Sequence, residues 1–134
     1  MNDENRRRNI REELDRAEEA RASAVLLADS GHLADAISRL YYWVFHTVRA
    51  LLLTESLEPR THEGMLRLFS LHFVKEGPFD SECAHILSRL MKYRQEADYN
   101  PSYVFTAEDF EEFRREAEDL CGRVDAQLRR AGLL

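Results

Sequence analysis

The stretch of sequence that decides the fold runs from His32 to Ser56 and reads HLADAISRLYYWVFHTVRALLLTES. Apolar residues recur in it every three or four positions, as on one face of an α-helix; they are Leu33, Ile37, Leu40, Tyr41, Val44, Val48, Leu51 and Leu52. A second apolar stripe flanks the first and contains Ala36, Trp43, Thr47 and Ala50. A helix that is apolar around so much of its circumference is usually the central helix of a bundle.

Turn-forming residues divide the rest of the chain into four further amphipathic stretches. Gly31, Pro59, Gly77-Pro78 and Pro101 mark the connections. We predict helices from Asn5 to Ser30, from Thr61 to Lys75, from a cap at Asp80 or Ser81 to Asp98, and from Thr106 to Arg130. Because short connections make successive helices antiparallel, the sequence predicts one all-α domain over residues 1–134, an up-and-down antiparallel bundle of about five helices.

Composition and charge narrow the possible functions. Of the 134 residues, 44% are hydrophobic, and the net charge is −6. A surface that coats nucleic acid needs a large basic excess, so this class is excluded, whereas a local basic cleft is compatible with the charge. The apolar runs are too short for a transmembrane helix, and no secretory signal is evident. Since Cys83 and Cys121 have the character of buried, reduced side chains, we expect a cytoplasmic protein without membrane contact.

Motifs for a metal ion or a cofactor are missing from the sequence. It has no HExxH pattern, no EF-hand loop and no glycine-rich phosphate loop. The five histidines have no spacing that is typical of a metal site. We therefore expect neither a metal nor a cofactor.

One residue breaks the apolar pattern of the helix predicted to end at Asp98. Arg94 falls on the stripe that is otherwise formed by Cys83, Ile86, Leu87, Leu90 and Ala97. An arginine stays charged when it is buried, so it needs a carboxylate, a phosphate or water. Asp98 is four residues further on, and Tyr99 follows it. Two interpretations are open: a structural Arg94–Asp98 pair, or an anion site in which Arg94 binds phosphate and Tyr99 stacks or donates a hydrogen bond.

Three segments together resemble a known family. AISRLYYWVFHTVRALLL (36–53), THEGMLRLFSLHFVKEG (61–77) and RQEADYN (94–100) follow one another as in the small single-domain prokaryotic HEPN proteins, in the subgroup with an Arg-x-x-Ala-Asp-Tyr-like motif. The resemblance implies a helical bundle of about five helices, a homodimer and a link to RNA or nucleotides. It also implies a toxin whose antitoxin partner is a minimal nucleotidyltransferase.

The catalytic motif of the family is matched only in part. In that motif an arginine is followed, after four to six residues, by a histidine, and two copies of the pair cleave RNA without metal. Arg94 matches the arginine, but the histidine positions hold Tyr99, Asn100 and Pro101. A tyrosine is a poor general base at neutral pH because its reference pKa is near 10. We therefore expect a nucleotide- or RNA-binding module; the alternatives are an atypical endoribonuclease and a non-catalytic structural adaptor.

Three further residues complete the candidate site. His62, at the start of the third helix, is a weaker catalytic candidate beside Arg94 and Tyr99. Arg39 is expected to add charge to a binding site formed by Arg94 and Asp98. The resemblance also implies modification of a tyrosine by the antitoxin, and Tyr99 is the candidate.

Overall fold

The computed structural model describes residues 2–134, and they form an all-α bundle with no strand in that range. Five α-helices follow one another along the chain: α1 (Asp3–Asp29), α2 (Leu33–Leu53), α3 (His62–Phe69), α4 (Ser81–Tyr99) and α5 (Ala107–Arg130). A π-helical segment, Ser70–Lys75, continues α3. The predicted fold class is confirmed. In the described range, no helix has the length and apolar character needed to cross a membrane.

The first two helices form a hairpin. Gly31 has a φ of +84°, a left-handed conformation that favours glycine, and reverses the chain between them. Small side chains let the helices pack closely, because Ala17, Ala20 and Ala24 line the buried face of α1. The side chain of Asn2 accepts a hydrogen bond from the Asn5 N–H at 2.8 Å, so α1 begins two residues before the predicted start.

The second helix is central, as its sequence predicts. It packs against α1, α3, α4 and α5. Its end differs from the prediction, since α2 stops at Leu53 and not at Ser56. Ser56 has a φ of +58°, and the Leu57 N–H bonds back to the Leu52 carbonyl at 3.0 Å. This turn ends the helix and directs the chain towards α3.

The predicted helix from Thr61 to Lys75 is helical over His62–Lys75, but its second half is not an α-helix. The chain changes from α to π geometry at Ser70. The segment then ends at a tight turn in which the Phe79 N–H bonds to the Phe73 carbonyl at 2.9 Å. The Phe79 ring packs 5.6 Å from the Phe69 ring and 6.2 Å from the Phe73 ring. This aromatic packing stabilises the π-helical segment. Its turns are wider than those of an α-helix, but the apolar spacing of the sequence does not distinguish the two.

The predicted helix starts are confirmed by their caps. Thr61 accepts from the Gly64 N–H at 2.8 Å, and Asp80 accepts from the Cys83 N–H at 3.3 Å. Thr106 and Asp109 form the reciprocal capping box of α5. Cys83 and Cys121 are buried and free, as expected.

Candidate functional site

Arg94 is a buried charge in the last turns of α4. Its exposed fraction is 6%, in line with its place on the apolar stripe. Its Nη1 donates to the Asp98 Oδ2 at 3.3 Å, and its Nε has no hydrogen-bond partner within the described part of the chain. One long hydrogen bond leaves most of the five guanidinium N–H donors available. Arg94 therefore retains the capacity to bind a further anion.

Aromatic rings border the Arg94 guanidinium on two sides. Its Cζ lies 5.5 Å from the centroid of the buried Tyr41 ring and 6.0 Å from that of Tyr99. A cation at such a distance is attracted to the ring quadrupole. Tyr99 is 76% exposed, so it borders the site from the solvent side. The two rings restrict the positions that the Arg94 side chain can occupy.

His62 is held by the first turn of α3. The Thr61 side chain caps this turn, and a Cβ on Gly64 would lie 2.9 Å from the Thr61 Oγ1, so glycine allows the close approach. The Nδ1 of His62 and the hydroxyl of Tyr41 are 2.6 Å apart. This hydrogen bond links α3 to α2 beside Arg94.

The Tyr41 hydroxyl assigns the tautomer of His62. Burial raises the pKa of Tyr41, so the phenol keeps its proton, and a buried hydroxyl proton needs an acceptor. The His62 Nδ1 is that acceptor, which leaves the ring proton on Nε2. Partial burial, assisted by the charge of Arg94, lowers the pKa of His62. At neutral pH the ring is thus an uncharged hydrogen-bond donor.

Arg94 and His62 line one groove between α3 and α4, with a volume of about 440 Å³. The other lining residues are Thr61, Glu63, Ser88, Met91, Lys92 and Gln95. Arg94 and Lys92 contribute two positive charges, and Glu63 contributes one negative charge. Asp98 offsets part of this positive charge through its bond to Arg94. The N–H donors of Arg94 and Lys92 are therefore what suits the groove to an oxyanion such as a phosphate.

An aromatic cluster on α2 lies next to the groove. The rings of Tyr42 and Phe45 have their centroids 6.2 Å and 5.0 Å from that of His62. The Arg39 Cζ lies 4.6 Å from the centre of the Tyr42 ring. Arg39 is therefore beside the groove and outside the set of residues that line it.

The structure brings most of the sequence candidates together. Arg94 and His62 line the groove, and Asp98 and Tyr99 contact the Arg94 side chain. The Arg39 guanidinium lies against Tyr42. The residues predicted from the sequence did not include the two supporting tyrosines, Tyr41 and Tyr42, or Lys92. Nothing in the helical spacing of Tyr41 distinguishes it from an ordinary core residue.

Other histidines lie outside this groove. His46 pairs with Glu13 at 2.8 Å, and His72 lies 4.0 Å from Glu55. Within residues 2–134, no three His, Cys, Asp or Glu side chains converge in a way that would hold a metal ion.

Comparison with known proteins relates the whole bundle to one family. A family model described as the HEPN domain matches residues 10–127. A Methanocaldococcus jannaschii protein named "Putative toxin" is 35% identical over 91% of this chain and 93% of its own. A second protein of that name from the same organism is 32% identical, over 78% and 71%. A UPF0332 protein of Thermotoga maritima is 34% identical, over 82% and 83%.

Proposed function

Because this chain belongs to the HEPN domain family, we propose that it is a toxin-like module that binds a phosphate of RNA or of a nucleotide in the groove between α3 and α4. Arg94 is the principal ligand of the phosphate, and the His62 Nε2–H and Lys92 assist it. Asp98 accepts a hydrogen bond from Arg94 and so helps to orient its guanidinium. Two relatives carry the name "Putative toxin", which supports the toxin-like assignment.

The observation that carries this proposal is the state of Arg94. A guanidinium that is 6% exposed has lost most of its hydration, yet it makes a single hydrogen bond, at 3.3 Å. A cation buried only to stabilise the bundle is expected to be fully paired, since an unpaired buried donor costs about 1–3 kcal/mol. An incoming phosphate would supply the missing acceptors.

A second candidate function is metal-independent cleavage of RNA. It is favoured because His62 lies in the same groove as Arg94. His62 thus provides a histidine in place of the one that is missing from the motif of Arg94. Against it, the tautomer that Tyr41 favours carries its proton on Nε2, and in that tautomer His62 has no free lone pair to act as a base. Tyr99 has too high a reference pKa to replace it. Binding is therefore the better-supported function.

One experiment distinguishes these functions. A 5′-labelled single-stranded RNA is titrated with the purified protein in low salt, anisotropy reports binding, and the same samples are then run on a denaturing gel. Binding with intact RNA supports the module, whereas fragments formed in the presence of a chelator support the ribonuclease. Ordinary non-specific binding has a Kd of about 100 μM or lower. If neither binding nor cleavage occurs up to about 100 μM protein, both proposals are wrong.

The affinity for RNA is expected to rise as pH falls. Burial and Arg94 hold the pKa of His62 below its usual value, so the ring is neutral at pH 7.5. A bound phosphate favours the protonated ring, and we expect binding to be about three- to tenfold tighter at pH 6 than at pH 7.5. Anisotropy at constant salt measures this change. In His62→Gln the dependence should vanish; an equally steep rise in that variant contradicts the role of His62.

The same lowered pKa sets the sign of the pH effect on folding without ligand. The unfolded chain takes up a proton at His62 near pH 6.5, before the folded chain does. The contribution of neutral His62 to stability is therefore complete above about pH 6.5 and is lost as pH falls from there through the lower pKa of the folded state. Thermal denaturation of the wild type and of His62→Gln over this range separates the effect of pH on folding from its effect on binding.

We also propose that the protein forms a homodimer. Its antitoxin partner is a nucleotidyltransferase, which adenylylates Tyr99. Tyr99 is 76% exposed, and its ring lies 6.0 Å from the Arg94 Cζ, so an AMP attached there would lie at the mouth of the groove. After co-expression with the antitoxin, mass spectrometry is expected to show the mass of one added AMP. Tyr99→Phe should abolish the addition, whereas Tyr103→Phe should not; the reverse pattern would reassign the modified residue.

A further inference from the structure

We infer that Arg39 and Tyr42 form a stacking surface for an unpaired nucleobase whose phosphate is bound in the groove, which makes single-stranded RNA the ligand class. This inference rests on the proposed function and adds a second contact to it. It assigns Arg39 a role that differs from simple addition of charge.

The Arg39 guanidinium is already held against an aromatic ring. Its Cζ lies 4.6 Å from the centroid of the Tyr42 ring, well within the range of a cation–π contact. The Tyr42 ring is fixed in turn by edge contacts with Tyr41 at 5.2 Å and with Phe45 at 5.8 Å. Since the Arg39 Cζ lies over the Tyr42 ring, a base that stacks on the planar guanidinium approaches it from the side away from that ring.

The charge of Arg39 is not neutralised by a carboxylate. Among the described residues, none of the Asp or Glu side chains lies within 4.0 Å of it, although Asp35 is one helical turn away on α2. The next basic residues along this face differ in this respect, because His46 and Arg49 both pair with Glu13. Positive charge on this face of α2 is thus concentrated at Arg39, beside the groove.

Tyr42 connects the stacking surface to the groove. Its ring centroid lies 4.6 Å from the Arg39 Cζ and 6.2 Å from the centroid of His62, which lines the groove with Arg94. We infer that a strand with a base on Arg39 places a phosphate of the same or an adjacent nucleotide in the groove. In a duplex the bases are stacked on each other, so their faces are inaccessible to Arg39, whereas unpaired bases readily stack on guanidinium planes.

Three labelled probes test this inference with the full-length protein: a single-stranded RNA, the same RNA with abasic riboses, and a hairpin of equal length. Anisotropy is expected to show that the wild type binds the single strand about tenfold more tightly than either of the other two probes. This difference corresponds to the contribution of one stacked base. Arg39→Lys keeps the charge and loses the planar surface. Its preference for the intact strand should therefore fall to about one, while its affinity for the abasic strand stays within about twofold of the wild type.

A second variant and two further measurements complete the test. Tyr42→Leu should lose the same preference, because Arg39 is no longer held. Competition with AMP determines whether a free nucleotide replaces the RNA strand or binds more weakly. An unchanged preference in both Arg39→Lys and Tyr42→Leu would overturn the inference. Sedimentation velocity provides another contradiction: if these variants convert a dimer to a monomer, the surface is a contact between copies of the chain.

Failure of this inference is distinguishable from failure of the proposed function. If only the stacking surface is wrongly assigned, Arg94→Met still weakens binding of all three probes, and the Arg39 and Tyr42 variants leave the probe preference as it is. If the groove itself is wrongly assigned, Arg94→Met changes no affinity.

Discussion

Replacing Arg94 with methionine is expected to weaken RNA binding by about 30- to 100-fold, because a charge-assisted hydrogen bond to phosphate is lost. Methionine has a similar length, fits the buried stripe of α4 and cannot bind an anion. Anisotropy with a single-stranded RNA at constant salt measures the loss. The slope of log affinity against log salt concentration should also become shallower, by the amount that corresponds to the loss of about one phosphate contact.

The same variant is expected to be as stable as the wild type, or about 1–2 kcal/mol more stable. Arg94 is desolvated, and Asp98, its one carboxylate partner among the described residues, is partly exposed to solvent. Replacing such a cation by an apolar side chain of similar volume is often neutral or stabilising. Denaturant unfolding measures this change. A gain in stability combined with a loss of binding identifies a residue that is retained for function.

Arg89 provides a matched control on the same helix. Arg89 pairs with Glu112 at 3.2 Å and with Glu116 at 3.1 Å, so it joins α4 to α5 away from the groove. Arg89→Met is expected to lose about 1–2 kcal/mol of stability and to keep its RNA affinity within about twofold. If Arg94→Met instead behaves like Arg89→Met, the structural adaptor is the correct interpretation and the groove is not a binding site.

Gly77→Ala is expected to destabilise the protein by about 2–3 kcal/mol, which lowers the Tm by roughly 6–12 °C for a domain of this size. A Cβ at this position would lie 2.7 Å from both the Cα and the carbonyl oxygen of Phe73. Both atoms belong to the backbone and cannot rotate away. The turn must therefore open, which disturbs the Phe79–Phe73 hydrogen bond and the packing of Phe79 on Phe69.

Gly122→Ala is the control for this prediction, because the same substitution should have the opposite sign. Gly122 lies inside α5, and a Cβ there would have no contact within 4 Å. Alanine is the better helix former by about 1 kcal/mol, so this variant should gain roughly 0.5–1 kcal/mol. Calorimetry of the two variants side by side compares them. Equal effects on Tm would contradict the assigned cause.

Much of the fold was predictable because it depends on local pattern. The apolar periodicity of α2 predicted its central place, and residue preference predicted the caps at Thr61, Asp80 and Thr106. The π-helical segment was not predictable in this way. Its geometry depends on Phe79, which lies beyond the segment and bonds back to Phe73. A contact with a residue outside the helix leaves no trace in the helix's own spacing.

The candidate site was likewise predictable only where it depends on local sequence pattern. The position of Arg94 was visible as a charge on an apolar stripe, and Asp98 followed from the spacing of one helical turn. The hydrogen bond between Tyr41 and His62 joins two helices that are 21 residues apart in sequence, so no local pattern reveals it. This bond is the basis for treating His62 as an Nε2–H donor and, with it, for proposing binding and not cleavage.

The extent of the α1–α2 hairpin has a consequence for the order in which the molecule assembles. Its helices share the most extensive packing in the bundle, and only a short turn separates them along the chain. Because contacts of low sequence separation tend to form early in folding, we expect α3 and α4 to dock on a hairpin that already exists, and the groove to form at that step. We also expect local opening of α3 and α4, at a smaller free energy than global unfolding, to limit the lifetime of the groove.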